Sequence, residues 1–250
     1  MAGGAVLGRL TWLPAEVVGI VEEAPRVRTL RLEAPGWGGH RAGQHVDLRL
    51  TAEDGYQAQR SYSLASAPDD GVEITIERLD GGEVSPYLVD EVRAGDRLEL
   101  RGPIGGYFVW AASQDDPLLL VAGGSGIVPL MAMIRHRAAA GSDVPTRLVF
   151  SSRSLADVIF RCELEALADR GDGLEVFHTL TRSQPEGWSG YARRIDVELL
   201  REAAWPAEVE PRIFVCGSTG FVEAAAAGLV ELGHEPRRIK TERFGATGGG

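Results

Sequence analysis

The sequence is short of lysine and cysteine. Lys240 is the only lysine among 26 basic residues, and Cys162 and Cys216 are the only cysteines. A P-loop lysine, or a Schiff-base lysine at any other position, is therefore excluded, and arginine must bind any anion. The two cysteines lack the spacing of a zinc or iron–sulfur site, so we expect free thiols, a reducing compartment and no metal.

An excess of positive charge is also missing. The formal net charge is −10 and neither half is dominated by basic residues, which makes nucleic acid a poor candidate partner. The longest apolar stretch, Leu118 to Ile134, is 17 residues long and is interrupted by glycines and Pro129. It falls short of the ~20 residues that span a bilayer, and no secretion signal is present. We expect a cytoplasmic protein without a membrane span.

Glycine, by contrast, is abundant: 32 of 250 residues, nearly twice the usual share of ~7%. The chain is long enough for one or two domains. Alternating or β-branched residues predict six strands in residues 12–111, namely Ala15–Ala24, Val27–Glu33, His45–Leu50, Arg60–Ala65, Val72–Leu79 and Asp96–Leu100. We expect a six-stranded antiparallel β-barrel, capped by a helix over Glu83–Val92 whose Tyr87, Leu88 and Val92 face inward.

After Pro117 the pattern changes to strands alternating with helices. The predicted strands are Leu118–Ala122, Arg147–Phe150, Leu174–Leu180, Ile213–Cys216 and Ile239–Phe244, and the predicted helices are Val128–Ala140, Leu155–Arg170, Ile195–Ala203 and Phe221–Leu232. This alternation predicts a doubly wound parallel sheet with helices on both faces. We therefore expect one domain over residues 12–111 and an α/β domain over residues 117–244.

Two segments of the α/β half suggest a dinucleotide site. A buried strand runs into the glycine loop Gly123 to Pro129, which has the form of a phosphate-binding loop but could also be only a tight turn. The next strand ends at Ser152 and Arg153, where hydroxyls and a guanidinium suit a 2′-phosphate and favour NADPH over NADH. Asp157 could still serve an NADH ribose, and Ser154 could simply cap the following helix.

The barrel half holds two further segments. In the strand from Arg60, residues Arg60 and Tyr62 lie on one face and Ser61 and Ser63 on the other. The turn Gly81 to Ser85 opens the short helix, where free N–H groups could bind an anion or be satisfied by a cap without any ligand.

These pieces occur in a set order that resembles the ferredoxin–NADP reductase superfamily. The matching motifs are R-x-Y-S at 60–63, G-x-x-S at 82–85, G-P-x-G at 102–105, G-G-x-G-x-x-P at 123–129 and the pair Cys216-Gly217. The likeness covers about residues 14 to 244. It implies a flavin-binding barrel followed by a pyridine-nucleotide domain, with hydride passing between nicotinamide and flavin at their interface.

On the flavin side, the resemblance implies that Arg60 pairs with a flavin phosphate, Tyr62 lies against the isoalloxazine and Ser63 hydrogen-bonds near N5. Ser61 belongs to the same segment. The N–H groups of Gly82, Glu83, Val84 and Ser85 would hold the pyrophosphate. Ile76, Glu77 and Leu79 would run past the ribityl and adenosine parts, which favours FAD over FMN.

On the nucleotide side, the loop residues Gly123, Gly124, Gly126, Ile127 and Pro129 would receive the nicotinamide and pyrophosphate. Cys216 and Gly217 would lie beside the nicotinamide, although Cys216 could equally be a core thiol.

Glu242 would be the active-site acid, so that Ser63, Cys216 and Glu242 are the expected catalytic residues. Phe244 replaces the family's final tyrosine and is followed by six residues; it could shield the flavin or only pack against the barrel. Arg182 could join Arg153 at a 2′-phosphate or be an ordinary exposed loop arginine.

The resulting hypothesis is an FAD-dependent reductase that takes hydride from NADPH and passes electrons to ferredoxin or another iron–sulfur or haem protein. The chain lacks four cysteines for its own cluster, so such a centre must lie on a partner. One alternative is a flavin reductase that releases reduced flavin. Another is a non-catalytic electron-transfer subunit of a larger dehydrogenase, whose relatives usually carry a C-terminal cysteine cluster that is missing from Gly245–Gly250.

Overall fold

The computed structural model describes residues 10–52 and 54–244. In the first half, antiparallel strands form a sheet in the order β4-β3-β6-β1-β2-β5. These strands are β1 (Leu13–Ala24), β2 (Val27–Glu33), β3 (His45–Thr51), β4 (Gln57–Ser63), β5 (Val72–Glu77) and β6 (Arg97–Ile104). The two edge strands meet where Leu64, just after β4, pairs with Ile74 of β5. The sheet thus closes on itself, which confirms the predicted barrel.

Side-chain alternation explains the barrel core. Val46 and Leu48 of β3 are buried, while Asp47 and Arg49, which alternate with them, face outward. A short helix, α1 (Val84–Pro86), continues as a π-helical turn over Tyr87–Glu91 and buries Val84, Leu88 and Val92 against the barrel. The expected inward position of Tyr87 is wrong, because its side chain is substantially exposed: the wider π turn rotates it away from the core.

The second half is a parallel sheet in the order β11-β10-β7-β8-β9. Its elements are β7 (Leu118–Gly123), α2 (Ile127–Ala139), β8 (Thr146–Ser152), α3 (Arg161–Ala168), β9 (Leu174–Leu180), α4 (Val197–Ala203), β10 (Arg212–Ser218), α5 (Thr219–Glu231) and β11 (Ile239–Phe244). One face of the sheet packs with α2 and α3 and the other with α4 and α5. The doubly wound sheet is confirmed, and its strand order reverses between β7 and β10.

The expected continuous helix over Leu155–Arg170 is wrong. A single 3₁₀ turn covers Leu155–Asp157, and α3 begins only at Arg161. Between them the chain carries Val158, Ile159 and Phe160 into the core, and Phe160 adopts φ 59°. The left-handed backbone of Phe160 interrupts the helix, which the helical period of the sequence does not reveal.

The two halves pack directly against each other. A Cβ on Gly43, in the loop before β3, would lie 2.0 Å from the carbonyl oxygen of Phe108 and 2.7 Å from the Met133 side chain of α2. Because Gly43 also has φ 97°, the loop can approach this closely only with glycine. Across residues 10–52 and 54–244, no helix combines the length and the hydropathy needed to cross a bilayer.

Candidate active site

Two of the predicted phosphate-binding pieces come together on the barrel. Arg60 Nη2 lies 3.9 Å from Glu83 Oε2, which brings β4 next to the turn at residues 82–85. Within that turn the Gly82 N–H already donates to the Leu79 carbonyl (3.1 Å), and Ser85 Oγ accepts from the Leu79 N–H (3.1 Å). The expectation of a free Gly82 N–H is therefore not met.

The side chains of the R-x-Y-S segment divide between two environments. Tyr62 packs against the barrel core, and burial raises the pKa of its hydroxyl far above the usual range. Ser63 is buried and pairs with His45 of the neighbouring strand β3. Ser61 lies on the face of the strand opposite to Arg60 and Tyr62. There its hydroxyl donates to Asp47 Oδ1 (2.7 Å).

The three residues expected to run past the flavin, Ile76, Glu77 and Leu79, lie in three different environments. Ile76 is fully buried in the barrel, so only its backbone can meet a ligand. The carboxylate of Glu77 accepts a hydrogen bond from Ser125 Oγ of the glycine loop (2.8 Å). Leu79 is exposed beside the turn at residues 82–85.

An aromatic side chain that sequence reasoning missed lies near this turn. Tyr56 is 57% exposed, and its hydroxyl donates to the Glu83 carboxylate at 3.3 to 3.4 Å. Its place in the loop between β3 and β4 gave no sequence signal, because the contact with Glu83 joins residues 27 positions apart.

The glycine loop lies at the carboxyl end of β7, beside β10. A Cβ on Gly126 would lie 2.1 Å from the Cys216 carbonyl oxygen, so α2 can begin here only with glycine. The side chains of Ile127 and Pro129 are buried, which leaves their backbone alone to meet a ligand. Gly124, with φ 55°, makes the turn that precedes them.

Phe221 of α5 covers part of this edge. A Cβ on Gly123 or on Gly217 would lie 2.8 Å from atoms of the Phe221 ring. The ring therefore lies across the point where the strand order reverses, which is the usual ligand position in open α/β sheets. Sequence reasoning missed Phe221 because nothing in its own segment distinguishes it from a core residue of α5.

Glu242 brings the two halves together. Its Oε1 lies 4.0 Å from Nδ1 of His45 in the barrel, and β11 pairs it with Cys216 of β10. Burial raises the pKa of Glu242 to about 7 and lowers that of His45, so this contact is not a full ion pair at neutral pH. Burial, and then the charge of Glu242, raise the pKa of the Cys216 thiol, which remains protonated.

Arg153 and Arg182 are held side by side. The N–H of Arg182 donates to the Arg153 carbonyl (2.9 Å), and the N–H of Thr181 donates to that of Ser152 (2.9 Å). Both arginine side chains are exposed, and within the described part of the chain neither forms an ion pair. Asp157 instead accepts a hydrogen bond from Ser154 Oγ (2.5 Å), and Ser154 makes no cap to the next turn.

Phe244, the last described residue, is partly buried and packs against the core cluster that includes α2. The six residues that follow it lie outside the described residues.

These features fit a flavin and a dinucleotide. At this strand edge a Cβ on Gly124 would meet no atom within 4 Å, whereas one on Gly123, Gly126 or Gly217 would collide with Phe221 or with the Cys216 carbonyl, so the edge exposes bare backbone at Gly124. Ser152 Oγ and Glu242 Oε2, which lie at this edge, are among the eleven buried side-chain polar atoms without a hydrogen-bond partner within residues 10–52 and 54–244. Unsatisfied buried polar atoms are uncommon in folded proteins, and a bound ligand is one way to satisfy them.

Comparison with known proteins gives two domain matches. The family model of the oxidoreductase FAD-binding domain matches residues 15–109, and that of the oxidoreductase NAD-binding domain matches residues 120–227. Ferredoxin–NADP reductase B of Sorangium cellulosum is 34% identical over 241 residues, covering 92% of this chain and 96% of that protein.

Two further comparisons extend this likeness. The glycine betaine monooxygenase reductase subunit of Pseudomonas aeruginosa is 34% identical over 235 residues, and the match covers 92% of this chain but 63% of that relative. The solved cytochrome P450 reductase GcoB of Amycolatopsis superposes with a TM-score of 0.82 at 27% identity, covering 95% of this chain and 71% of the other.

Proposed function

The chain belongs to the ferredoxin–NADP reductase family and is an NAD(P)H-dependent flavoprotein oxidoreductase with FAD-binding and NAD-binding domains, and from this premise we propose that it passes electrons from NADPH through FAD to a ferredoxin or another iron–sulfur or haem protein. In this proposal residues 12–111 bind FAD and residues 117–244 bind the dinucleotide. The observation that carries it is the approach of Glu242 to His45 at 4.0 Å, because it brings the nucleotide edge next to the strand end that holds Ser63.

The barrel residues would bind and orient the flavin. Arg60 supplies a guanidinium for a phosphate, and the N–H groups of Glu83, Val84 and Ser85 at the start of α1 add donors. Tyr62 offers a ring at the edge of the barrel core, and Ser63 a hydroxyl for N5. When bound, the flavin supplies the conversion between two-electron hydride chemistry and one-electron transfer.

The α/β residues would bind the dinucleotide. The backbone of the loop from Gly123 to Gly126 and of Gly217 would meet the nicotinamide and pyrophosphate, with the Phe221 ring lying over Gly123 and Gly217. Arg153 and Arg182 are exposed and joined through their backbones, so both guanidinium groups would be offered to a 2′-phosphate, and the nearby acid, Asp157, already accepts a hydrogen bond from Ser154. This arrangement supports NADPH over NADH.

Glu242 and Cys216 would line the hydride-transfer region in different ways. With its pKa raised to about 7, Glu242 can hold or release a proton at its carboxyl oxygens near neutral pH. Cys216, as a buried neutral thiol, keeps the nicotinamide side free of charge. Phe244, packed beside this region, would limit the access of water.

The proposed acceptor rests on the relatives. Their names describe a ferredoxin–NADP reductase, the reductase subunit of a glycine betaine monooxygenase and a cytochrome P450 reductase. The first name contains ferredoxin, which is an iron–sulfur protein, and the third contains cytochrome P450, which is a haem protein, while the second names a monooxygenase as the partner. A separate iron-containing acceptor is therefore the proposed partner of this chain.

An anaerobic titration tests the proposal. The purified protein should show a bound-flavin absorbance spectrum that bleaches with one equivalent of NADPH and more slowly with NADH, and a [2Fe–2S] ferredoxin should then be reduced. A colourless protein that reduces added flavin and releases it would instead identify a flavin reductase. A yellow protein that neither dinucleotide bleaches would contradict the catalytic role.

A further inference from the structure

Arg135 of α2 is a largely buried arginine, and its guanidinium bonds to both halves of the molecule. Its side chain is 16% exposed. It donates to Glu73 Oε2 on strand β5 (2.8 Å) and to the carbonyl oxygen of Ala65 (3.0 Å). It also makes a two-bond ion pair with Glu163 of α3 (2.8 and 2.6 Å) and lies 5.0 Å from the centre of the Phe160 ring.

On the barrel side, these contacts hold the segment next to the proposed flavin site. Ala65 follows Ser63 by two residues, and its N–H donates to the Glu73 carbonyl (2.8 Å). Glu73 is itself only 16% exposed and is held from the other side by Arg31 (2.7 Å). Arg135 therefore bonds both to the chain leaving β4 and to the residue against which that chain is pinned.

On the nucleotide side, Arg135 lies on the helix that begins at the glycine loop. The start of α2 packs against the backbone of Cys216, because a Cβ on Gly126 would lie 2.1 Å from the Cys216 carbonyl oxygen. The continuous helix α2, which begins at Ile127, then joins that contact to Arg135. The Arg135 guanidinium and helix α2 thus connect the proposed nicotinamide edge to the proposed flavin edge.

The planar shape of the buried Arg135 guanidinium fixes the directions of its hydrogen bonds, and therefore the relative position of the two halves. A planar fork with fixed donors tolerates little displacement of its acceptors, and removing one partner of a buried ion pair leaves an uncompensated charge. Net stability gained from such a pair is commonly small, whereas its effect on orientation can be large. Hydride transfer is sensitive to orientation, since a misplacement of ~1 Å can cost about 100-fold in rate.

We propose that Arg135 is a positioning residue, which fixes the two halves so that a nicotinamide at the Gly123–Gly126 loop faces a flavin beside Ser63 at reacting distance. The residue touches neither reacting group. This inference rests on the proposed hydride transfer from NADPH to flavin.

The chain offers a matched control on the same helix. Arg137 is fully buried, and its guanidinium donates to the Val144 carbonyl (2.8 Å) and to the side chain and carbonyl of Asp172. All of these partners lie in the α/β half. Replacing Arg137 therefore disturbs a buried arginine of equal size without touching the contact between the halves.

The experiment compares Arg135→Met and Glu73→Gln, which weaken the contact between the halves, with Arg137→Met, which does not. For each flavin-loaded protein, stopped-flow absorbance gives the limiting rate of flavin reduction at saturating NADPH and the intensity of the long-wavelength nicotinamide–flavin charge-transfer band. Flavin content, the NADPH dissociation constant and the melting temperature are measured alongside. Arg135→Lys keeps the positive charge and can donate one hydrogen bond to Glu73. This variant tests whether that single bond restores the rate of flavin reduction.

The expected result is a limiting rate about 10- to 100-fold lower in Arg135→Met and Glu73→Gln, with a weaker charge-transfer band but unchanged flavin content and NADPH dissociation constant. Arg135→Lys recovers part of the rate. Arg137→Met lowers the melting temperature and keeps the wild-type rate.

Two outcomes overturn the inference. If the wild-type flavin is reduced by NADPH and Glu73→Gln and Arg135→Met match its limiting rate, Arg135 has no positioning role. If Arg137→Met slows the step as much as Arg135→Met does, the effect is one of stability alone. A wild-type flavin that NADPH does not reduce would instead contradict the proposed function itself.

Discussion

At the scale of single residues, Glu242 links protonation to stability. Burial raises its pKa from 4.5 to about 7, so the folded protein binds a proton that the unfolded chain releases between these values. Stability should therefore fall as pH rises from about 4.5 to 7, by as much as about 3 kcal/mol, and Glu242→Gln should remove that fall. Denaturant unfolding of both proteins across this pH range measures it; parallel curves for wild type and variant would contradict the raised pKa.

Arg60 governs flavin retention in the proposed site. Its half-exposed guanidinium lies beside Glu83, and a charge-assisted bond to a phosphate contributes about 1.5 to 3 kcal/mol. Arg60→Ala should therefore weaken flavin binding about 10- to 100-fold, measured as flavin content after gel filtration and as a dissociation constant. Arg97→Ala, at an exposed arginine elsewhere on the barrel, is the control, and equal flavin loss in both would refute the phosphate contact.

Arg153 and Arg182 determine the dinucleotide preference in the same proposal. The variant Arg153→Ala/Arg182→Ala should raise the KM for NADPH about tenfold or more while scarcely changing that for NADH, because only NADPH carries the 2′-phosphate. Steady-state kinetics with both dinucleotides gives the ratio. Arg201→Ala, an exposed arginine on α4, should change neither constant. A double variant that loses the two dinucleotides equally would assign the arginines to the shared pyrophosphate.

At the scale of elements, the junction of β7 with α2 depends on glycine. A Cβ on Gly126 would collide with the Cys216 carbonyl oxygen, so Gly126→Ala should destabilise the protein by about 1 to 3 kcal/mol. Gly220→Ala in the first turn of α5, where a Cβ meets no atom within 4 Å, should instead be neutral or stabilising by about 0.5 kcal/mol. Chemical denaturation measures both; a neutral Gly126→Ala would mean that α2 can shift away from β10.

The elements were predictable to different degrees. Strands β2, β9 and β11 begin and end where alternation and apolar runs place them, because short buried strands bounded by turns carry a local signal. The break at Phe160 was not predictable, because its left-handed backbone and its place in the core beside α2 belong to the assembled fold. The π turn that moves Tyr87 outward is likewise decided by packing on the barrel.

The site divides in the same way. Motif order predicted the segments containing Arg60, Ser63, the glycine loop and Cys216 as parts of the site, because each is a local pattern. The contacts of Tyr56 with Glu83, Glu77 with Ser125 and Phe221 with the two glycines join distant positions, and no local pattern records them. The burial that sets the pKa of Glu242 is also a property of the assembled fold.

At the scale of the whole molecule, charge should control the encounter with redox partners. The net charge of −10 repels an acidic ferredoxin and attracts a basic cytochrome c at long range. Raising ionic strength should therefore speed electron transfer to the first and slow transfer to the second, because salt screens both forces. Stopped-flow rates with each acceptor test this, and flavin reduction at saturating NADPH is the control. A decrease with both acceptors would reveal a local basic surface that outweighs the overall charge.

The Phe221 ring lies over Gly123 and Gly217, at the edge where the nicotinamide end of a dinucleotide is expected. A dinucleotide that binds at this edge would do so only after the Phe221 side chain has rotated away from the two glycines. The observed rate of complex formation would rise with dinucleotide concentration only up to a maximum, which equals the rate of this side-chain rotation. A smaller side chain at position 221 would raise this maximum, and the empty enzyme would leave its cleft open to solvent between turnovers.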